Sequence, residues 1–587
     1  MIAHRRVDRR ATLVLLVSAF AFAAYASTHP SAAQSGTYGA IYAVAAIGLS
    51  VLLGNVNIVS LGNAGFFAVG AYAVAWLTTT AHWPLPAAMA AAIVLAAAAG
   101  IAVGVIALRF RGHHVAMATL AFGLIVTGVL HGDRTFGGGG GMQLGATPSI
   151  GPFPLSGVAG YTVAWMITSI VALLTLNLLR GRAGRAFEAI RNDELAADVL
   201  GVATRRYKVL AFTYSAALAG LAGGMYAVVL GVVVPDAVGV ALSIDFVLMV
   251  VLGGRGYVAG AIAGATLIAV LAISGQQLEN WREVAYGALV IVVVIVFPAG
   301  LIGVLRPRSS DDRAVPVVGA PALATFPQVA PTPSEPPLRL HGVTMRFGGL
   351  TAVDNVAFSL APGTLTSLIG PNGAGKTTLF DAIGGVGTIA TGTIAIRGTD
   401  VTGWRPHRIA ALGVRRTFQS ARLFDEMTVL ENVIAGAFAC GRTSLADDLV
   451  GSPHARIVER RALERARATL ARFGMEPLAD VVARDLPFAI RRRVELARAL
   501  VSDPWLLLVD EPAAGLDANE RAALRDDLLR IRASGVTMLL VEHDMRLVMS
   551  ISDRVMALQF GRLIADGSAA SVRNDPGVIA AYLGRGR

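Results

Sequence analysis

A succession of apolar stretches constrains this chain more than anything else, each close to the ~17–25 residues a helix needs to cross a hydrocarbon core. They fall near 12–29, 38–54, 58–77, 86–108, 114–130, 161–179 and 208–234, and three more follow at 238–253, 257–274 and 284–305. Gly253-Gly254-Arg255-Gly256 separates the first two of those three. Hydrophobic residues make up 55% of the chain and charged residues 15%, against about 25% charged in an average soluble protein. Much of the chain therefore sits in membrane lipid.

A net charge of +11 raises the question of nucleic acid, and the placement of the basic residues answers it. Arg5, Arg6, Arg9 and Arg10 precede the first apolar run; Arg109 and Arg111 follow the fourth; Arg180, Arg182, Arg185 and Arg191 follow the sixth. Arg205, Arg206 and Lys208 precede the seventh, and Arg255, Arg306 and Arg308 lie at later run ends. Segments 27–35, 78–84 and 235–243 contain neither Lys nor Arg. This is the positive-inside pattern, and no nucleic-acid partner is expected. About ten spans with both ends cytoplasmic put every Arg-rich end inside, whereas counting 238–274 as one span would put the C-terminal half outside. The first run also has the make-up of a secretory signal, with Ala24-Tyr25-Ala26 as a cleavage-like site; polytopic permeases commonly retain such a helix. The one cysteine, Cys440, has no partner for an intrachain disulfide and is expected to be incidental.

The predicted organisation is a polytopic α-helical membrane domain over 1–306, a Pro/Ala-rich linker over 307–337, and an α/β domain over 338–587 that carries a phosphate-loop (P-loop) sequence. In the linker, Pro307, Pro316, Pro321, Pro327, Pro331, Pro333, Pro336 and Pro337 recur among Ala, Val and Ser, as in an extended tether. Beyond it, short β-rich runs (365–369, 505–509, 537–541) alternate with Arg-rich amphipathic helices (457–473, 518–533).

The strongest chemical signal is Gly370-Pro371-Asn372-Gly373-Ala374-Gly375-Lys376-Thr377-Thr378, between a predicted strand at 364–369 and a predicted helix at 377–384. Its glycines let backbone N–H groups turn around phosphate oxygens, and the helix N-terminus adds partial positive charge. Lys376 is expected to reach the β- and γ-phosphates of ATP and Thr377 to ligate Mg²⁺. Leu506-Leu507-Leu508-Val509-Asp510-Glu511 is an apolar strand ending in two carboxylates. Asp510 is expected to hold Mg²⁺ and Glu511 to polarise the attacking water.

With these residues in place, 338–584 resembles the ATP-binding domain of ABC transporters. The resemblance implies that Gln419 is the Q-loop residue sensing Mg²⁺, that Gly515-Leu516-Asp517 is the D-loop, that His543 is the switch histidine on the γ-phosphate, and that Phe347 stacks on adenine. Phe418-Gln419, Arg422-Leu423-Phe424, 427–433 and Asp510-Glu511-Pro512-Ala513-Ala514-Gly515-Leu516 resemble the G-type ATPase of branched-chain amino acid importers. Ser60-Leu61-Gly62, Phe66-Phe67, Gly70-Ala71-Tyr72, 116–120 and 248–254 resemble that family's M-type permease over about 40–305.

Several expectations follow from the resemblance. The chain is a bacterial inner-membrane importer subunit with a cytoplasmic ATPase, working with an H-type permease, an F-type ATPase and a periplasmic substrate-binding protein. Relatives carry branched-chain or other amino acids, amides or urea; a half-size exporter and a weakly hydrolysing membrane scaffold are the alternatives. A single amphipathic helix at 184–197, with Gly184, Glu188, Ala189 and Arg191, is expected to be the coupling helix that seats near Gln419.

Two departures stand out. The signature turn, which acts on the partner ATPase's nucleotide, reads Leu486-Pro487-Phe488-Ala489-Ile490, and Ala489 replaces a glycine on which close approach to phosphate depends. An asymmetric pair of ATP sites is expected, with the one completed by this signature impaired. Asn63 stands where the family often has a larger polar residue.

Overall fold

A computed structural model describes residues 2–110, 112–144, 149–150, 153–154, 157–274, 284, 287–288, 291–292, 295–296, 300–302 and 335–583. Two compact units emerge, neither continuous in sequence. The first holds Met1–Arg191, Arg205–Asp311 and Ser444–Ala455; the second holds Asn192–Thr204, Asp312–Thr443 and Arg456–Arg587.

The first unit is helical: α1 (Ile2–Ala26), α2 (Pro30–Ser50), α3 (Asn63–Thr79), α4 (Leu85–Ala107), α5 (His113–Gly132), α6 (Gly157–Arg180), α7 (Arg182–Asn192), and, after α8 (Glu194–Val199) of the second unit, α9 (Thr204–Leu230), α10 (Val240–Gly253) and α11 (Val258–Ser274). Among the described residues 7 helices are long and apolar enough to cross a membrane. Two expected spans, α3 and α11, are shorter at 17 residues each. The expected span at 284–305 and most of the expected linker lie outside the described residues. Between α10 and α11 the chain turns at Gly254 and Gly256, with φ of 120° and 80°, so 238–274 is two helices, not one.

Helix packing here depends on small residues. On α4, the buried residues Ala88, Ala92, Ala96, Gly100 and Gly104 recur every fourth position and so share one stripe. That stripe lies on α9: a Cβ on Gly100 would come 2.5 Å from the Ala216 Cβ, and one on Gly220 would come 2.3 Å from the Ala96 Cβ. Val94, Leu95, Ile101 and Ile106, on the other faces of α4, are exposed. In lipid such close backbone approach supplies dispersion contact that apolar bulk alone does not.

α2 ends in a π-helical turn, Val51–Asn55, after which the chain is non-helical until α3. Backbone polar groups inside a membrane protein need protein partners. The Leu61 N–H donates to Thr119 Oγ1 at 3.0 Å, and the Ala64 N–H to Ser243 Oγ at 3.1 Å. Ser215 Oγ donates to Asn63 Oδ1 at 3.2 Å, whereas Asn63 Nδ2 is buried without a partner among the described residues. Asp8 of α1 accepts the Val258 and Ala259 N–H groups at 3.2 and 2.9 Å, capping α11.

The single helix expected at 184–197 is two. Asp193 has extended backbone, and its carboxylate accepts the Ala196 N–H at 3.0 Å, which ends α7 and starts α8. Asp at an N-cap outcompetes continuation of the helix through it. Segment Ser444–Ala455 belongs to the first unit, where Asp448 accepts the N–H of Ala183 in the first turn of α7 at 2.9 Å.

The second unit is an α/β fold. One antiparallel sheet contains β1 (Leu338–Phe347), β2 (Leu350–Ser359), β4 (Thr391–Ile396) and β5 (Thr399–Asp400), in the order β2-β1-β4-β5. A second sheet adds β3 (Leu365–Ile369), β6 (Val414–Arg416), β7 (Leu506–Asp510), β8 (Thr537–Val541), β9 (Arg554–Gln559) and β10 (Arg562–Gly567), in the order β6-β7-β8-β3-β9-β10. Its strands are parallel except for β10. All five residues of β3, of β7 and of β8 are buried, as expected of parallel strands covered on both faces. The helices that position the site are α12 (Lys376–Ile383), α13 (Val429–Gly436), α15 (Phe488–Leu500), α16 (Ala518–Ala533) and α17 (Pro576–Leu583), while α14 (Leu445–Val450) belongs to the first unit.

Candidate nucleotide site

The loop from β3 to α12 is shaped by its glycines. Gly370, Gly373 and Gly375 have φ of 153°, 80° and 99°, and a Cβ on Gly375 would lie 2.3 Å from the Ala352 carbonyl oxygen. Lys376 folds back over the loop, its Nζ donating to Gly370 O at 2.8 Å and Pro371 O at 3.0 Å. Burial lowers the Lys376 pKa, and the Glu511 and Asp510 carboxylates oppose that shift. Thr377 is exposed on the first turn of α12, Thr378 is half-buried beside it, and Ala374 is buried beneath the loop.

Asp510 ends β7 and is buried; burial raises its pKa, and Arg416 works against the rise. Arg416 reaches Asp510 Oδ2 at 3.3 Å and Asp381 at 2.7 Å. Asp510 Oδ1 is buried without a hydrogen-bond partner among the described residues, an open acceptor suited to a cation or its bound water. The next residue, Glu511, has φ of 40°, a region non-glycine residues rarely occupy. Gln419 Nε2 donates to Glu511 Oε2 at 2.8 Å, and His543 Nδ1 stands 3.7 Å from the same oxygen. Gly370, Pro371, Asn372, Gln419, Glu511, His543 and Tyr582 line one open cleft. Glu542, fully buried, accepts the Ala513 N–H at 2.9 Å and the His543 N–H at 2.7 Å, tying the turn after β7 to the one after β8.

The other nominated residues are placed as follows. Phe347 ends β1, is 56% exposed, and is not among the residues lining that cleft. Gly515 has φ of 79° and Leu516 is buried. Asp517 begins α16 in a capping box with Glu520, donating its N–H at 3.0 Å and accepting at 2.8 Å. Leu486 is buried, Pro487 caps α15 and Phe488 is 46% exposed. Ala489 and Ile490 pack against the apolar core.

Gly184, Glu188, Ala189 and Arg191 all lie on α7 in the first unit, and Gly184 and Ala189 are buried there. The following segment, Asn192–Thr204, belongs to the second unit and makes polar contacts within it. Asp193 pairs with Arg422 at 3.0 Å, Asp198 with His407 at 2.7 Å, and Asn192 Oδ1 accepts the Glu426 N–H at 3.4 Å. The break at Asp193 thus divides the helix expected at 184–197, leaving Gly184, Glu188, Ala189 and Arg191 on α7. Ala439 packs at Gly201 of this segment, and its neighbour Cys440 is exposed.

Three groups were not singled out from sequence. Arg492 and Glu495 of α15, paired at 3.1 Å and both 3% exposed, hold the Q-loop backbone. Glu495 Oε1 accepts the Phe418 N–H at 2.9 Å, and Arg492 donates to Phe418 O at 2.7 Å and to Gln419 O. Their signal was an Arg and Glu three apart on one face of a predicted helix, which alone reads as a solvated pair. Tyr582 had no signal beyond a C-terminal aromatic.

A glycine-shaped phosphate loop, a buried strand-end Asp with an open oxygen, and Gln, Glu and His converging on one cleft define a phosphate-loop ATPase of the ABC class. The family described as "Branched-chain amino acid transport system / permease component" matches residues 31–297, and that described as "ABC transporter" matches 353–514. A third, "Branched-chain amino acid ATP-binding cassette transporter", matches 562–587. The Escherichia coli (strain K12) "High-affinity branched-chain amino acid transport ATP-binding protein LivG" is 44% identical over 252 residues, 43% of this chain and 99% of that protein. The Pseudomonas aeruginosa protein BraF, described in the same words, is 42% identical over the same shares. The chain belongs to the branched-chain amino acid ABC transporter family, with permease and ATP-binding components fused in one polypeptide. It is a membrane protein that binds ATP, couples hydrolysis to transport, and works with further transporter subunits and a substrate-binding protein.

Proposed function

We propose that this chain is one half of a bacterial inner-membrane importer of branched-chain amino acids, with residues 1–306 as permease, 307–337 as linker and 338–587 as cytoplasmic ATPase. An H-type permease, an F-type ATPase and a periplasmic binding protein complete it. The observation that carries the reading is the convergence of Gln419, Glu511 and His543 on one cleft beside the phosphate loop.

ATP enters with its phosphates along Gly370–Thr378 and its base against Phe347. Lys376 exchanges the two loop carbonyls it now holds for β- and γ-phosphate oxygens, which are better acceptors for an ammonium group. Thr377, Asp510 and Gln419 would hold Mg²⁺, whose chemistry is to neutralise phosphate charge; the open Oδ1 of Asp510 fits that role. Glu511 orients the attacking water and takes its proton, and His543 steadies the γ-phosphate. The Gly515-Leu516-Asp517 turn and the Leu486–Ile490 signature face the partner ATPase. Asn192–Thr204 carries the change of state toward the helices through Asp193–Arg422.

The test is uptake by the complete complex in proteoliposomes, with the partner ATPase's own site disabled. Wild type accumulates leucine, isoleucine and valine in an ATP-dependent way, and Glu511→Gln lowers the rate by about 10²-fold or more. Undiminished uptake by a Lys376→Ala, Glu511→Gln double variant would overturn the reading.

A further inference from the structure

The C-terminal helix α17 brings Tyr582 to the nucleotide cleft from outside every motif discussed above. Its phenol oxygen accepts the Gly370 N–H at 2.8 Å, across 212 residues of sequence. Gly370 is held tightly: a Cβ there would lie 2.2 Å from the Leu558 carbonyl oxygen, so the position that donates to the phenol requires glycine. The same phenol lines the cleft with Gln419, Glu511 and His543.

A tyrosine hydroxyl accepts and also donates. Here the acceptor function is used by Gly370, while the phenol's own proton has no acceptor among the described residues. The Gly370 N–H thus fixes the oxygen at the rim of the cleft and leaves a donor to turn toward whatever occupies it. Burial raises the Tyr582 pKa, so the group stays protonated at neutral pH. The stretch that carries it, 562–587, is matched by its own family description, apart from the general ABC match that ends at 514.

We propose that Tyr582 is a nucleotide-contacting residue whose phenol, anchored by the Gly370 N–H, donates to an oxygen of the terminal phosphate of bound ATP. This rests on the ATP-site reading given above. The placement beside Gln419, Glu511 and His543 selects the terminal phosphate, since those side chains gather at that end of the cleft. A donor there distinguishes ATP from ADP, whereas a tyrosine that merely pins α17 to the loop would affect both nucleotides alike.

The complete complex is photolabelled with an azido-ATP analogue, label on this chain is separated from the partner ATPase by size, and ATP and ADP compete for it. Tyr582→Phe removes one hydroxyl and keeps the ring. The expected result is about a tenfold or larger rise in the ATP concentration needed for half-competition, as for a lost hydrogen bond to a charged group, with ADP within twofold of wild type. Retained ADP affinity also reports that the loop is folded, and Tyr582→Ala is expected to show the same split. An equal loss for ATP and ADP, or no change in either, overturns the proposal. Lys376→Ala tests the underlying reading: if it labels and competes like wild type, the ATP-site assignment fails and this inference fails with it.

Discussion

Arg492 and Glu495 form a buried ion pair that also hydrogen-bonds the peptide groups of Phe418 and Gln419. Breaking such a pair leaves one charge uncompensated inside the protein, so the helix that begins with the signature turn and the loop that carries Gln419 are locked to each other. That bond gives the altered signature its meaning. Ala489 and Ile490 are half-buried against the core, and the Cβ of Ala489 stands where the resemblance expects a glycine that lets backbone approach a partner's phosphate. Ala489→Gly is expected to raise the ATPase turnover of the heteromeric complex severalfold when this chain's own site is disabled by Glu511→Gln; unchanged turnover discards the asymmetric-site idea. At this scale the phosphate loop was legible in sequence because backbone chemistry demands glycine at fixed spacing. Asp510 and Glu511 were legible only beside that loop, because an apolar strand ending in two carboxylates by itself often just enters a solvated turn. Tyr582 was not, because its role is a contact between residues far apart in the chain, and neither end carries a local pattern for it.

Elements were predictable where periodicity or apolar length dominated. The strands at 365–369 and 537–541 match β3 and β8, and the helix at 518–533 matches α16, since buried parallel strands and amphipathic helices print their period directly. The extent of the helix expected at 184–197 was misjudged because an amphipathic pattern runs on through Asn192-Asp193, while a side-chain cap, a local hydrogen bond invisible to periodicity, stops the helix. The break between α2 and α3 is similar: an apolar run at 58–77 hides the fact that its first residues are not helical. Thr119 is buried and donates to Ala116 O as well as accepting from Leu61 N–H, so it bridges α5 to that break. Thr119→Val preserves shape and removes the acceptor. It is expected to lower thermal stability of the detergent-purified chain by the equivalent of about 1–3 kcal/mol, the cost of an unmatched buried N–H; a melting temperature equal to wild type would show that the break is held otherwise.

For the whole molecule, the division into compact units departs from the division of the sequence. Asn192–Thr204, which lies within the stretch matched as permease, groups with the ATPase fold, and Ser444–Ala455, which lies within the stretch matched as ATPase, groups with the helices. Contiguous boundaries drawn from composition could not anticipate this, because composition reports where apolar residues are and not which short polar segment is lent to another core. The Asp193–Arg422 pair is partly exposed, so its worth lies in register more than in stability. Arg422→Asp, which leaves the Asp193 cap of α8 in place, is expected to lower leucine uptake by about tenfold while ATP hydrolysis continues, as like charges repel. Uptake equal to wild type would remove this pair from the coupling route. The exposed thiol of Cys440 beside this segment has a practical corollary. With no other cysteine in the chain, a maleimide dye attaches at one defined place near Gly201 and reports, in the native sequence, local rearrangement as nucleotide comes and goes.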